Sequence, residues 1–196
     1  SRLTGTDPEG NDHALAVHTH TYTVTGDGRV AVRNRVDLED GVRDLARIGV
    51  VMQLEPGFER ATWFGRGPHE NYPDRCASAY MGRFTRKVSD FYEPYIVPQE
   101  HGARTGVRWF SLDNRRAGVL VQGPRPLQVT ASHYTAADLY AATHTCELQP
   151  REETIVHVDL VQRGLGTRSV GPDTLDRYRL QEASYAFDYA LTLYEP

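Results

Sequence analysis

The chain has 196 residues, of which 39% are hydrophobic and 10% aromatic, so it can bury the core of one large domain and lacks the composition of a disordered protein. Its formal net charge is −4, and its 22 basic residues are scattered along the chain rather than clustered in a stripe. This distribution argues against nucleic acid or a membrane surface as a partner, and it fits a neutral ligand better.

Cysteines and apolar runs indicate the cellular setting. Cys76 and Cys146 are too few and too far apart for a disulfide framework or a zinc site. We therefore expect two buried thiols in a reducing compartment, with one disulfide as the alternative. No apolar run approaches the roughly 20 residues of a membrane span, and the polar start of the chain lacks the core of a signal peptide. The sequence predicts a soluble, cytoplasmic protein.

Most of the chain has the pattern of β-strands. Residues 1–13 are predicted to be a loop or linker. Residues 14–24 alternate apolar with polar side chains, a Gly-Asp-Gly turn follows, and residues 29–38 alternate again, which predicts a β-hairpin with Val32, Asn34 and Val36 on one face. Further strands are predicted at 47–55, 60–65, 106–112, 117–123, 126–134, 144–149, 153–162 and 185–194.

One segment has helical character. In residues 134–143 a run of good helix formers follows Thr135, which can act as N-cap with Asp138 three residues later. Strands do not alternate with long helices, and the chain is shorter than the roughly 250 residues of a β/α barrel, so that fold is excluded. We predict an all-β, mostly antiparallel sandwich or barrel-like sheet pair with one short helix, forming a single domain over residues 1–196.

Residues 65–75, "GRGPHENYPDR", form the most distinctive stretch, called the 65–75 loop below. Glycoside hydrolysis needs two carboxylates across the scissile bond, and Glu70, Asp74 and Glu100 are candidates for that pair. The alternative is that Glu70 and Asp74 are structural acceptors that hold arginines or loop amides, as is common in loops rich in glycine and proline. We favour the structural interpretation.

Histidines and glycines offer weaker hypotheses. His18 and His20 share one face of a strand and could hold a metal with a third ligand, but we expect them to be exposed to solvent and to bind no metal. Glu100 beside His101 could supply an acid/base pair for opening a sugar ring. The glycine-rich segment 164–171 does not open a long helix, so it is interpreted as a loop that presents its tip to a neighbour, rather than as a phosphate cradle.

Five segments in order carry a family resemblance: "WFGRGPHENYPDR", "SDFYEPYIVPQEHGARTGVRW", "HYTAADLYAATH", "GLGTRSVGPDT" and "YAFDYALTLY". From about residue 45 to the end, the sequence resembles the C-terminal domain of glycoside hydrolase family 2 β-galactosidases. The resemblance implies a β-supersandwich of the galactose-mutarotase type. It also implies that the chain is an N-terminally incomplete fragment of a larger polypeptide, because the family's domain begins some tens of residues before Ser1.

The resemblance further implies how the domain works. In this family the catalytic carboxylates, and often Mg and Na ions, belong to a separate barrel, so we expect no catalytic residue, metal or cofactor in this chain. The expected role is non-catalytic: the domain packs beside the barrel of an enzyme that hydrolyses terminal β-D-galactose residues, shapes the galactoside pocket and stabilises the assembly. The expected partners are the rest of the enzyme, the galactoside substrate and further subunits of a homo-oligomer.

Particular residues follow from the same resemblance. In some relatives the loop matching 164–172 carries a tryptophan that reaches the sugar, whereas here the matching position is Val170. We expect Ser169, Val170, Gly171 and Pro172 to be the part of the chain nearest to substrate. Candidates for sugar contact or for scaffolding are Trp63, His69, Glu70, Asn71, Tyr72, Asp74, Arg75, Glu100 and His101. Two alternatives remain at this point: a stand-alone carbohydrate-binding module, or an aldose mutarotase using Glu100 and His101.

Overall fold

The computed structural model describes residues 1–6, 12–167 and 170–196. In these ranges the chain is almost entirely β-structure, and every strand pairing is antiparallel. The strands are β1 Arg2–Thr6, β2 Asp12–Val24, β3 Arg29–Leu38, β4 Arg47–Leu54, β5 Arg60–Gly67, β6 Tyr80–Lys87, β7 Arg104–Asp113, β8 Gly118–Ser132, β9 Thr154–Gln162 and β10 Ser184–Tyr194. The predicted all-β sandwich, mostly antiparallel with one short helix, is confirmed.

Strand β8 connects the two halves of the sandwich. The main sheet runs in the order β1-β2-β3-β10-β8-β7-β5-β6, and β9 joins β8 to β4 off this path. Residues Gly118–Gln122 of β8 pair with β10 and β7, and residues Gln128–Ser132 pair with β9. Pairing with β7 continues at Leu127 and Val129. Pro124 and Pro126 lie in residues 123–126, which pair with no other strand in the described chain, so their lack of an amide N–H costs no ladder hydrogen bond.

The core lies between alternating side chains of these strands. Trp63 of β5, Phe110 of β7 and Val158 of β9 are each at most 1% exposed, and they belong to one hydrophobic cluster. In β3 the predicted inward face is confirmed, since Val32, Asn34 and Val36 are all buried. The Asn34 amide donates to the carbonyl of Phe187, and its Oδ1 lies 3.3 Å from His18 Nε2. The expectation that His18 is exposed was therefore wrong, because Asn34 gives its ring a buried partner.

The predicted helix and its cap are confirmed. Helix α1 covers Ala136–Ala141, with Thr135 as its N-cap. Thr135 Oγ1 accepts from the Asp138 amide at 3.1 Å, and the Asp138 carboxylate accepts from the Thr135 amide at 2.8 Å. Arg151 donates to the same carboxylate, and this contact, with the cap hydrogen bonds, holds the pKa of Asp138 well below its usual range. No helix in the described part of the chain is long and apolar enough to cross a bilayer.

Four local predictions need correction. Residues 1–13 are not simply a loop, because they include β1 and the start of β2. Residues 144–149 form no strand; Thr145–Glu147 is a 3₁₀ turn capped by the carboxylate of Glu147. The strands predicted at 117–123 and 126–134 are one strand, β8. Cys76 and Cys146 are free, but Cys76 is half-buried and Cys146 exposed, so the expectation of two buried thiols was wrong.

Candidate functional site

The 65–75 loop leaves β5 through a close-packed corner. Trp63 is fully buried, and its indole N–H donates to the Arg66 carbonyl at 3.0 Å. A Cβ on Gly67 would lie 2.9 Å from the Phe84 ring and 3.0 Å from Trp63, so only glycine fits at this approach. Behind the corner, the guanidinium of Arg104 lies 5.2 Å from the Trp63 ring and 4.4 Å from the Phe91 ring. Burial lowers the pKa of Arg104 to about 10.

Glu70 is the centre of the loop's hydrogen-bond network. Its Oε2 accepts from the backbone amide of Gly102 at 2.8 Å, and its Oε1 accepts from both the Arg75 guanidinium and the Tyr95 hydroxyl. Arg75 also donates to the Tyr95 hydroxyl at 2.9 Å. We call these four residues, Glu70, Arg75, Tyr95 and Gly102, the Glu70 cluster. It joins the 65–75 loop to the segment that leads into β7.

Asn71 and Tyr72 lie beneath this cluster. Asn71 Oδ1 accepts from the Thr105 amide at 2.9 Å and from the Thr105 hydroxyl at 2.6 Å, and its amide donates to the His69 carbonyl at 3.0 Å. Tyr72 is fully buried, with the Arg75 guanidinium 5.2 Å from its ring. The Tyr72 hydroxyl has no hydrogen-bond partner among the described residues, and burial raises its pKa well above the usual range.

Asp74 connects the 65–75 loop with the 164–172 segment. Its Oδ1 accepts from the Leu165 amide at 3.0 Å and its Oδ2 from the Gly166 amide at 2.8 Å. A Cβ on Gly164 would lie 2.7 Å from the Asp74 carboxyl carbon, so glycine permits the close approach. A groove of about 470 Å³ separates the two segments, lined by Asp74, Arg75, Leu165, Gly166, Thr167, Pro172, Asp173, Leu175, Arg177 and Tyr178.

The base of the 164–172 segment is held by ion pairs. Arg163 donates to Asp44 at 2.8 Å and to Asp173 at 3.0 Å, and Arg179 donates to Asp173 at 3.2 Å. The hydrogen bond from Arg163 lowers the pKa of Asp44. The tip is different: Val170 is 96% exposed, and Ser169 lies outside the described residues. The structure therefore has a fixed base beneath a solvent-exposed tip.

Glu100 belongs to a separate cluster that includes His157 and Asp159 of β9. Arg47 Nη2 lies 2.8 Å from Glu100 Oε1, Arg47 Nη1 lies 2.5 Å from His157 Nδ1, and Arg47 Nε lies 3.6 Å from Asp159 Oδ2. We call Arg47, Glu100, His157 and Asp159 the Arg47 cluster. The Arg47 and Glu100 atoms are close but misaligned for a hydrogen bond, and both Asp159 oxygens have no hydrogen-bond partner in the described chain.

Burial dominates the electrostatics of the Arg47 cluster. The Asp159 side chain is 1% exposed, and its pKa is raised to about 7, mainly by burial; the nearby Arg47 charge lowers this pKa and the Glu100 charge raises it. Burial and the nearby Arg47 charge lower the pKa of His157 to about 4. His101 lies beside the cluster in sequence but is 3% exposed and packs edge-on against Tyr92, 5.1 Å between ring centroids.

Nearly the whole chain matches one known protein family. The family described as "Beta galactosidase small chain" matches residues 6–193. The chain belongs to this β-galactosidase small-chain family. A β-galactosidase of Vibrio cholerae serotype O1 is 34% identical over 189 residues, which are 93% of this chain and 17% of the relative. A β-galactosidase of Priestia megaterium is 32% identical over 156 residues, 79% of this chain and 15% of the relative.

The small-chain domain thus spans less than a fifth of the length of these curated relatives. Among solved structures, a putative aldose 1-epimerase from Escherichia coli K12 matches with a TM-score of 0.40 and 11% identity, covering 93% of this chain and 62% of that one.

The geometry of the small-chain domain separates the sequence candidates. Trp63, Asn71 and Tyr72 are fully buried, which favours a scaffold position over contact with a sugar. His69 is exposed and lies 3.0 Å from the Ser78 hydroxyl. Glu70 and Asp74 are occupied as acceptors of loop donors, which favours the structural interpretation over an acid/base pair. No group of three or more metal-ligating side chains is assembled in the described residues.

Sequence reasoning missed Arg47 and Asp159. A signal was present in β9, where "TIVHVDLVQ" places a histidine and an aspartate at alternate positions of an otherwise apolar strand. A few ionisable side chains in a mostly apolar strand indicate a buried polar cluster. A strand face exposed to solvent would carry polar or charged side chains at more of its positions.

Proposed function

We propose that this small-chain domain is a non-catalytic part of a β-galactosidase, packing beside the catalytic barrel and helping to shape the galactoside pocket through the 164–172 segment. The observation that carries the proposal is the contact of Asp74 with the Leu165 and Gly166 amides. It fixes the base of a segment in which the Val170 side chain is exposed. The curated relatives that support the parent activity are named β-galactosidases.

The surface toward the rest of the enzyme is also part of the proposal. Ile96, at 91% exposed, and Val97, at 56%, follow Tyr95 of the Glu70 cluster, and Leu175, at 57%, lines the neighbouring groove. Large apolar side chains that are this exposed are typical of an interface. The remainder of the enzyme would cover them, and any Mg or Na ions, the cytoplasmic location and assembly into a homo-oligomer belong to that parent protein.

The alternative functions receive no support from the site. A carbohydrate-binding module built on Trp63 and Tyr72 would need exposed rings, and both rings are buried. A mutarotase using Glu100 and His101 would need both groups to face one ligand. Instead Glu100 is bound to Arg47, and His101 Nδ1 is 3.0 Å from the Gln99 carbonyl.

The test uses the full β-galactosidase that carries this chain. Asp74→Asn replaces a double acceptor by a single one, so the base of the 164–172 segment loosens, and kcat/KM for an aryl β-galactoside should fall about tenfold, a loss of roughly 1.4 kcal/mol. Asp27→Asn, in the turn between β2 and β3, is the matched control and should leave kcat/KM unchanged. Equal effects of the two variants would contradict the proposal, as would turnover of the substrate by the isolated chain.

A further inference from the structure

A second groove lies at the Arg60 end of β5, a strand of eight residues whose other end leads into the 65–75 loop. It has a volume of about 410 Å³ and is formed by the turn before β5, the end of β6 and the turn between β7 and β8. Four cationic side chains line it: Arg60, Arg86, Lys87 and Arg115. This concentration of cationic side chains contrasts with the formal net charge of the chain, which is −4.

Three carboxylates also line this groove, but the fold already uses them. The Asp113 side chain is 1% exposed and accepts from Arg60 Nε at 2.9 Å and from the Arg115 amide at 3.1 Å. Glu59 accepts from the Ser89 amide at 3.0 Å, and its Oε2 lies 2.8 Å from His133 Nε2.

The third carboxylate, Asp90, accepts from the backbone amide of Lys87 at 3.3 Å. Among the described residues, no carboxylate forms an ion pair with Arg86, Lys87 or Arg115, and all three are exposed. Three cationic side chains of the groove are therefore available to bind an anion.

The backbone at Arg115 is a separate observation. Its φ is 68°, in the left-handed region that glycine and asparagine adopt more readily than arginine. The turn is enforced by Asn114, whose Oδ1 accepts from the Arg116 amide at 3.0 Å and the Ala117 amide at 2.8 Å. Strained residues of this kind concentrate at ligand-binding sites, and this one places a cation on the wall of the groove.

We propose that this groove binds the phosphate group of a small phosphorylated molecule. Planar guanidinium groups on two walls can each donate two hydrogen bonds to a phosphate, and the lysine adds a third charge. The volume suits a small ligand. The three cations without an ion pair in the described chain outnumber the exposed carboxylate of Asp90, so the charge of the groove favours a dianion over a neutral sugar. This inference does not depend on the proposed function of the domain.

Calorimetric titration of the protein at low salt tests the proposal, with inorganic phosphate, galactose 6-phosphate and galactose as probes. We expect saturable heat with both phosphates, at least as tight binding of galactose 6-phosphate as of inorganic phosphate, and none with galactose. Affinity should fall as salt is added, because exposed charges are screened. Tighter binding of inorganic phosphate than of the ester, or no saturable heat with either, would overturn the proposal.

Two neighbouring variants give a matched comparison. Arg115→Asn removes a groove cation at a position where asparagine tolerates the left-handed backbone, so the fold is kept while phosphate affinity falls about tenfold. Arg116→Asn removes the same charge from the same turn but outside the groove lining, and affinity should change less than about twofold. Lys87→Gln, on the opposite wall, should weaken binding as Arg115→Asn does. Equal losses in the Arg115 and Arg116 variants would show general charge attraction and refute a site.

Discussion

Glu70 and Asp159 are both buried carboxylates within reach of an arginine, but their surroundings differ. Both Glu70 oxygens accept hydrogen bonds, from a backbone amide, a hydroxyl and a guanidinium. Both Asp159 oxygens lack a hydrogen-bond partner among the described residues, and the nearest Arg47 nitrogen is 3.6 Å away. Burial alone therefore does not determine what a carboxylate contributes; the number and alignment of its donors do.

The Glu70 cluster therefore links two segments of the fold, whereas in the Arg47 cluster we expect the buried Asp159 carboxylate, which has no hydrogen-bond partner in the described chain, to lower stability. The three predictions below test this difference between the two clusters, and they are ordered by the size of the expected effect on the free energy of unfolding.

The largest effect is expected for Glu70→Ala. The variant leaves the buried Gly102 amide without an acceptor and removes the partner of Arg75 and Tyr95, so the free energy of unfolding should fall by about 3 kcal/mol. Urea denaturation followed by tryptophan fluorescence measures it, since Trp63 adjoins the loop. Glu39→Ala, at an exposed glutamate, is the control and should change stability by less than about 0.5 kcal/mol. A loss below 1 kcal/mol for Glu70→Ala, by the same measurement, would contradict the structural role.

The opposite sign is expected for Asp159→Asn. A carboxyl with a raised pKa binds its proton more tightly in the folded protein, so folding loses stability as pH rises from about 4, the unfolded value, to about 7. The variant should therefore gain about 2 kcal/mol at pH 8 and nothing at pH 4.

His157 changes stability in the other direction, because its lowered pKa, about 4, makes folding more favourable as pH rises toward its unfolded value of about 6.5. In the wild type the two slopes partly cancel. Denaturation at several pH values should show stability rising with pH in Asp159→Asn. Asp40→Asn, at an exposed carboxyl, should follow the wild-type profile, and a variant less stable than wild type at pH 8 would refute the interpretation of the Arg47 cluster.

The smallest effect is expected for Tyr72→Phe, beneath the Glu70 cluster. The buried Tyr72 hydroxyl has no hydrogen-bond partner within the described ranges, and removing it relieves an uncompensated desolvation, so stability should rise by about 1 kcal/mol. Tyr95→Phe, which instead removes a donor to Glu70, should lower stability by a similar amount. Thermal denaturation measures both variants. Loss of stability in Tyr72→Phe would contradict the prediction and indicate that an ordered water binds the hydroxyl.

Period-two patterns predicted most of the fold, because a strand with one buried face shows its alternation in the sequence, as β3 does. Strand β6 was missed because Gly82 and its exposed basic residues interrupt that pattern; its place is set by pairing with β5. The scaffold role of the 65–75 loop could be anticipated from its turn residues. The Arg47 cluster could not be, since it joins β4 with β9 and with Glu100, segments that only the tertiary fold brings together.

The passage of β8 through both halves of the sandwich bears on how the domain comes apart. Because one strand is hydrogen-bonded to β7, β9 and β10, neither half can open without breaking pairs that the other half needs. Unfolding should therefore be one cooperative transition, and the amides at the centre of β8 should exchange with solvent only when the whole domain opens. Because they share β8, the two halves of the sandwich should unfold together.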